Sequence, residues 1–207
     1  MLSVLVANSK GGCGKTTIST HLAAAFASRG HRTALADADR QHSSLAWVGR
    51  RPAHAAPVEG LDWAKDVGTV PKKVERLVID AAAALRRKHV VDLVKMADVI
   101  VVPVLPSVFD QTATGGFLET LGELKPVRKN KKPVAIVRNR LKARSRAASR
   151  LDRFLELVEH RDLGALPDRA AYDELAAEGL ALFDLDGRQA ERLAADWQPL
   201  LRYVEAT

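Results

Sequence analysis

Lys10-Gly11-Gly12-Cys13-Gly14-Lys15-Thr16-Thr17 decides how the rest of this chain is read. The apolar run Leu2 to Ala7 precedes it and predicts a buried strand. After it, Ile18, Leu22, Ala25 and Phe26 share one face of a helix that Gly30 stops. Strand, glycine-rich turn and helix, in that order, make the stretch a candidate phosphate loop. Its three glycines permit a tight turn whose N–H groups point inward. The helix N-terminus adds partial positive charge where phosphate oxygens would sit. Lys15 would reach the β- and γ-phosphates of a nucleotide, and the Thr16 hydroxyl would ligate Mg²⁺.

The common loop, G-x-x-x-x-G-K-S/T, would need glycine at position 9. Ser9 stands there, and a second lysine, Lys10, follows. This K-G-G-x-G-K-S/T variant resembles the deviant-Walker ATPases of the ParA/MinD family. The resemblance implies that Lys10 reaches across a nucleotide-sandwiched dimer to the partner's phosphates. It makes Lys10, Gly11, Gly12, Cys13, Gly14, Lys15, Thr16 and Thr17 the nucleotide-binding element, with Lys10 and Lys15 serving catalysis. The implied cofactors are ATP and Mg²⁺.

Asp37 and Asp39 follow the second expected strand, Thr33 to Ala38, on the edge where such sheets bind ligands. Two carboxylates near a Mg-nucleotide can orient the attacking water and hold metal-bound waters. The family carries D-x-D-P-Q there. By that match Asp39 positions the water and Asp37 supports the lysines or the metal shell, while Arg40 stands in place of the proline. Asp80 ends the strand Arg76 to Asp80 and resembles a Walker B carboxylate that binds Mg²⁺ through water, so that Thr16, Asp39 and Asp80 form the expected metal set. Ala81-Ala82-Ala83 departs from the Thr-Pro-Pro or Ser-Pro-Ala that the family places next.

Val102-Pro103-Val104-Leu105-Pro106-Ser107 with Asp110 resembles the family's V-P-x-x-P-S-x-x-D segment, at the dimer face near the switch. A plain strand end with proline turns is the competing reading. Asn139-Arg140 resembles the family's N-R, whose Asn recognises adenine; an ordinary turn asparagine is the alternative. Pro167-Asp168-Arg169 resembles the loop that covers the base, and a plain turn fits it as well.

The 207 residues suit one α/β domain, 1–207, with ample core. Further strands are expected at Val99–Val104, Val134–Val137 and Leu163–Leu166. Helices are expected at Val90–Met96, Thr112–Leu124, Ala147–Val158, Ala170–Ala177 and Gln189–Val204. The stretch 49–73, with three prolines and three glycines, reads as irregular surface or a short edge strand. The alternation predicts a doubly wound, mostly parallel sheet flanked by helices. No apolar run approaches ~20 residues, which excludes a membrane span. With a strand expected directly at the N-terminus, neither a signal peptide nor a DNA-reading helix-turn-helix is expected ahead of the phosphate loop. The single cysteine, Cys13, fits the cytosol and reads as a small residue filling the loop's variable position. The six histidines show no metal-ligand spacing and read as surface or ordinary core.

The net charge of +7 is unevenly spread. From Lys125 to Arg153 there are twelve Lys or Arg and one acid, Asp152. Such a local excess points to a polyanion partner. Arg146, Arg150 and Arg153 fall on one helical face, with Ala147, Leu151, Phe154 and Val158 beside them. Lys129 and Lys132 belong to a second cluster one connection earlier; a solvated face without a partner is the alternative reading of both. The resemblance completes the expectation. It implies an ATP-dependent homodimer that binds DNA non-specifically in the nucleoid, hydrolyses ATP slowly under an adaptor's stimulation, and positions a plasmid, chromosomal locus or protein assembly. A MinD-like membrane cycle would need the C-terminal helix as an amphipathic anchor, and Glu191, Asp196 and Glu205 dilute its charge, so packing on the sheet is expected. A ligase of the dethiobiotin-synthetase type would leave the basic stretch without a purpose.

Overall fold

The computed structural model describes residues 1–84, 87–129, 131–142 and 144–207. Its core is the chain's own apolar runs laid side by side. Among the described residues seven strands form one sheet in the order β3-β2-β4-β1-β5-β6-β7, and every neighbouring pair is parallel. They are β1 (Leu2–Val6), β2 (Thr33–Asp37), β3 (Val58–Asp62), β4 (Arg76–Asp80), β5 (Val99–Val104), β6 (Val134–Leu141) and β7 (Arg161–Pro167). The doubly wound parallel sheet expected from the alternation is what forms. Residues of β1 and β5 alternate between two cores: Val4, Val6, Val99 and Val101 enter one, Leu5, Ile100 and Val102 the other. Only strands covered on both faces can afford such uninterrupted apolar runs.

One face carries α1 (Lys15–Ser28), α2 (Ser43–Arg50), α7 (Ala170–Ala177), α8 (Arg188–Ala195) and α9 (Gln198–Glu205). The other carries α3 (Arg87–Met96), α4 (Val108–Glu123), α5 (Lys125–Arg128) and α6 (Arg146–Glu156). Helix α1 is buried nearly all round: Ile18, Leu22, Ala23, Ala24, Ala25 and Phe26 are each 0% exposed. The single apolar face read from the sequence is therefore only the sheet-facing part. The far side lies under the C-terminal helices, where Trp197 stacks on the His21 ring at 4.6 Å and 7°. Burial lowers the pKa of His21 to about 4, so the ring is neutral; its Nδ1 donates to the Thr17 carbonyl at 2.8 Å.

Several element boundaries differ from the sequence reading. The expected closing helix Gln189–Val204 is two helices, α8 and α9, with Pro199 in the first turn of α9. Helix α4 begins at Val108, four residues before the expected start. Strand β6 runs on to Leu141. In α6, Ala148 rather than Ala147 is the buried alanine beside Leu151. The stretch 49–73 contributes the edge strand β3. Helix α2 had no sequence counterpart.

A buried ion pair joins distant parts of one face. Arg51, just past α2, donates to both carboxylate oxygens of Asp184 at 2.7 and 3.0 Å, and its guanidinium lies 4.5 Å from the Trp47 ring centroid. The Arg51 and Asp184 side chains are 6% and 1% exposed.

Candidate nucleotide-binding site

The loop between β1 and α1 takes the tight course that its glycines allow. Gly12 and Gly14 adopt φ of +75° and +93°, the left-handed region that side chains disfavour. At Gly14, the N-cap of α1, a Cβ would also lie 2.0 Å from Asn139 Nδ2. Gly11 and Gly12 instead face open space. Lys15 is buried, and its Nζ donates to the Lys10 carbonyl at 3.0 Å, so the ammonium sits inside the loop's own curve. That carbonyl also accepts from Cys13 Sγ at 3.2 Å. Cys13 is fully buried and desolvation raises its thiol pKa, which makes it an inert filler of the variable position. Only the backbone of Lys10 is hydrogen-bonded among the described residues, leaving its ammonium unengaged.

Asn8, which the sequence reading passed over, holds the loop's entry. Its Nδ2 donates to the Pro103 carbonyl and to Thr114 Oγ1, both at 2.8 Å, while its Oδ1 accepts from the Lys10 N–H at 3.3 Å. The Pro103–Asp110 segment is thereby tied to the phosphate loop. A polar residue closing an apolar strand directly before a glycine loop was the available signal.

The carboxylates arrive from the ends of β2 and β4, paired in register Asp37 to Asp80. Asp80 is buried and takes a hydrogen bond from Ser19 Oγ at 3.3 Å, with the Thr16 hydroxyl close enough to favour its charged form. Desolvation first, then the Asp37 charge, raises its pKa to about 7, against the pull of Lys15 and the two hydroxyls. Ser19, one turn along α1, is a second residue the sequence reading missed. A buried carboxylate beside a Thr hydroxyl fits a hydrated Mg²⁺. No group of three His, Cys, Asp or Glu among the described residues could cage a metal alone, so phosphate oxygens and water would complete its shell.

Asp37 is engaged by the backbone around it. Its oxygens accept three backbone N–H groups, from Asp39 at 2.9 Å, Ser44 at 2.9 Å and Leu45 at 3.0 Å. It therefore shapes the turn carrying Asp39 and caps α2 from outside, where its charge complements the helix dipole. Asp39 is half-buried, accepts from the Gln41 N–H at 3.0 Å, and lines a polar cleft with the exposed Arg40. Ala82 and Ala83 line the same cleft.

Asn139 reaches the phosphate loop from the end of β6. It is buried, and its Nδ2 donates to the Cys13 carbonyl at 2.8 Å, so one amide proton anchors β6 to the phosphate loop. The register of β6 and β7 sets Leu141 opposite Pro167, and Arg140 reaches Asp168 at 3.9 Å. Asn139, Pro167 and Asp168 thus gather at one sheet edge, beside Gly14. Arg146, Arg150 and Arg153 are exposed along α6, with no ion pair to any described residue. Lys129 is exposed, whereas Lys132 is half-buried and lies 3.9 Å from Asp98. Asp152, the one acid of the basic stretch, is bonded to Arg138 at 2.6 Å.

A glycine turn opening the first helix at the carboxyl edge of a parallel sheet, with aspartates ending β4 beside it and β2 next along, defines a P-loop nucleotide-binding protein. The class narrows on comparison with known proteins. Residues 4–183 match the CobQ/CobB/MinD/ParA nucleotide binding domain, and the chain belongs to that family. It is 33% identical over 203 residues to the maintenance of carboxysome distribution protein A of Halothiobacillus neapolitanus, covering 94% of this chain and 91% of that one. Protein ParA of Rhizobium radiobacter is 26% identical over 208 residues, with 93% and 90% covered. The solved Cyanothece McdA–ATP complex shares the fold at TM-score 0.76 and 15% identity, over 97% of this chain and 96% of that chain. No described helix is long and apolar enough to cross a membrane.

Proposed function

We propose that this chain is a ParA-type ATPase that binds MgATP, dimerises around two nucleotides, binds DNA without sequence preference, and hydrolyses ATP slowly until an adaptor stimulates it. Its cargo would be a large protein assembly, as the name of the 33% identical relative suggests, rather than a plasmid. The observation that carries this reading is the division between two lysines of one loop. Lys15 is folded into the curve where phosphates would lie, while the Lys10 ammonium is unengaged by any described residue and so free to serve a nucleotide held by a second copy. In this reading Thr16 and Asp80 hold the hydrated Mg²⁺, which would neutralise phosphate charge when bound. Asp39 orients the attacking water, with its turn fixed by Asp37. The exposed Arg146, Arg150, Arg153 and Lys129 contact DNA phosphates, Lys132 contributing less because it faces Asp98.

The membrane-cycling alternative finds little support in the C-terminal helices. Leu200, Leu201 and Val204 of α9 and the adjacent Trp197 are 0–1% exposed, so this apolar face is already spent on the core.

The test separates the lysine from the carboxylate. Lys10→Ala should bind ATP yet stay monomeric by light scattering. Asp39→Ala should form the ATP-bound dimer and lose turnover. Identical behaviour of the two variants would refute the assignment.

A further inference from the structure

The groove between α7 and α8 lies away from the nucleotide site and encloses about 420 Å³. Leu175 and Leu193 lie in its wall, and Leu185, 40% exposed, stands at its rim. Glu174, Glu178 and Asp186 supply the charge of the lining, to which no described Lys or Arg contributes. Arg188 and Arg192 are exposed on α8 but stay outside the groove. A chain of net charge +7 thus carries an acid-rimmed apolar trough among its described residues. Nucleic acid and anionic lipid are repelled by such a rim, whereas a cationic segment with apolar side chains at helical spacing matches both rim and floor.

The geometry points to this groove as the docking site of a basic amphipathic segment of the adaptor; the inference rests on the proposed function, which requires such a partner. A second copy could also offer this chemistry, since its α6 carries Arg146, Arg150 and Arg153 next to Leu157, which is 84% exposed. That contact would join two different surfaces, and unless a two-fold axis made it twice it would propagate into rings or filaments. The groove is also wired to the site. Helix α7 continues directly from the Pro167–Arg169 turn. On its inner side Tyr172 meets the His21 ring edge-on at 5.1 Å, one turn beyond Thr17 of the phosphate loop. A segment seated against α7 would thus press on both the turn at the nucleotide edge and the helix that opens at the phosphates.

The experiment uses the full chain and a fluorescein-labelled Leu/Lys amphipathic peptide of about 18 residues, the length of a groove-binding helix. Anisotropy is read for wild type and for Glu174→Lys/Glu178→Lys and Leu185→Ser, all exposed positions whose replacement leaves the core intact. The expected result is binding to wild type that weakens about tenfold or more in the charge-reversed variant, with a flatter salt dependence, and measurably in Leu185→Ser. Equal binding by wild type and both variants would overturn the proposal, as would equal binding of a Leu/Glu peptide. Loss of self-association in the charge-reversed variant, seen by sedimentation without peptide, would assign the groove to a second copy and overturn it too. Equilibrium dialysis with ATP on the same proteins without peptide reports on the nucleotide-site reading separately, because no phosphate-loop residue lines the groove.

Discussion

Replacing Gly14 with alanine tests the structure where it makes its most specific demand. The added Cβ meets two obstacles. At φ +93° an L-residue costs roughly 1–2 kcal/mol. The Cβ would also lie 2.0 Å from Asn139 Nδ2, so the amide must swing away from the Cys13 carbonyl that it donates to. Leaving a buried donor and acceptor unpaired costs about 1–3 kcal/mol. Gly14→Ala should therefore lose roughly 2–5 kcal/mol of stability. Asn139→Ala alone should lose only the second part. The double variant keeps the backbone penalty, but the bond it would break is already gone. Its loss should match that of Gly14→Ala, not the sum of the two single losses. Urea unfolding of the four proteins measures this, provided the slopes agree. Strict additivity would refute the claim that the loop's third glycine exists to admit the Asn139 amide.

Lys15→Ala should weaken ATP binding about 10- to 100-fold by equilibrium dialysis, the worth of one or more charged hydrogen bonds to phosphate. Burial raises the pKa of Asp80 to about 7 from 3.8, so between those values the folded chain keeps a proton that the unfolded chain has lost, and stability falls as pH rises through that window. Asp80→Asn should therefore be more stable than wild type at pH 8, by a margin on the order of a few kcal/mol that shrinks towards pH 5; chemical unfolding at four pH values decides it, and a margin that does not change with pH would refute the buried-charge argument. Replacing Arg146, Arg150 and Arg153 with alanine should weaken binding equally for two unrelated duplexes and flatten the dependence of log K on log salt by roughly one per lost phosphate contact, with ATP turnover in the absence of DNA unchanged.

What was legible in the sequence was whatever depends on neighbours along the chain. The order strand, loop, helix showed around Lys10–Thr17, and apolar runs such as Val99–Val104 marked strands covered on both faces. What stayed hidden depends on partners far apart. Helix α2 has no capping side chain of its own, because Asp37, lying before the turn, supplies the acceptor for its first amides. A local search for Ser, Thr, Asp or Asn at the cap finds His42 there instead. Ser19 looks like any helical serine until β4 brings Asp80 against it. Asn139 carried the right residue type for adenine, yet its bond to Cys13 spans 126 positions and has no trace in spacing. The closing helices misled for a related reason. One apolar periodicity runs from Leu193 to Val204, yet a new helix starts after Trp197 with Pro199 in its first turn, and the indole is stacked on His21, a partner far back in the chain.

The Arg51–Asp184 pair has a consequence for the order in which the chain can acquire its structure. Arg51 follows α2, the helix held by the Asp37 turn, and its counter-charge is 133 positions downstream. Until Asp184 has been synthesised, the guanidinium must stay in water, because burying it alone would cost several kcal/mol. Trp47, stacked on that guanidinium, is held back with it, and so is its bond to the Leu180 carbonyl. On the ribosome, then, the phosphate loop emerges early, but the segment after α2 that carries Arg51 cannot be buried until nearly nine-tenths of the chain is out, so the helix beside the Asp39 turn takes its final packing only when synthesis is almost done.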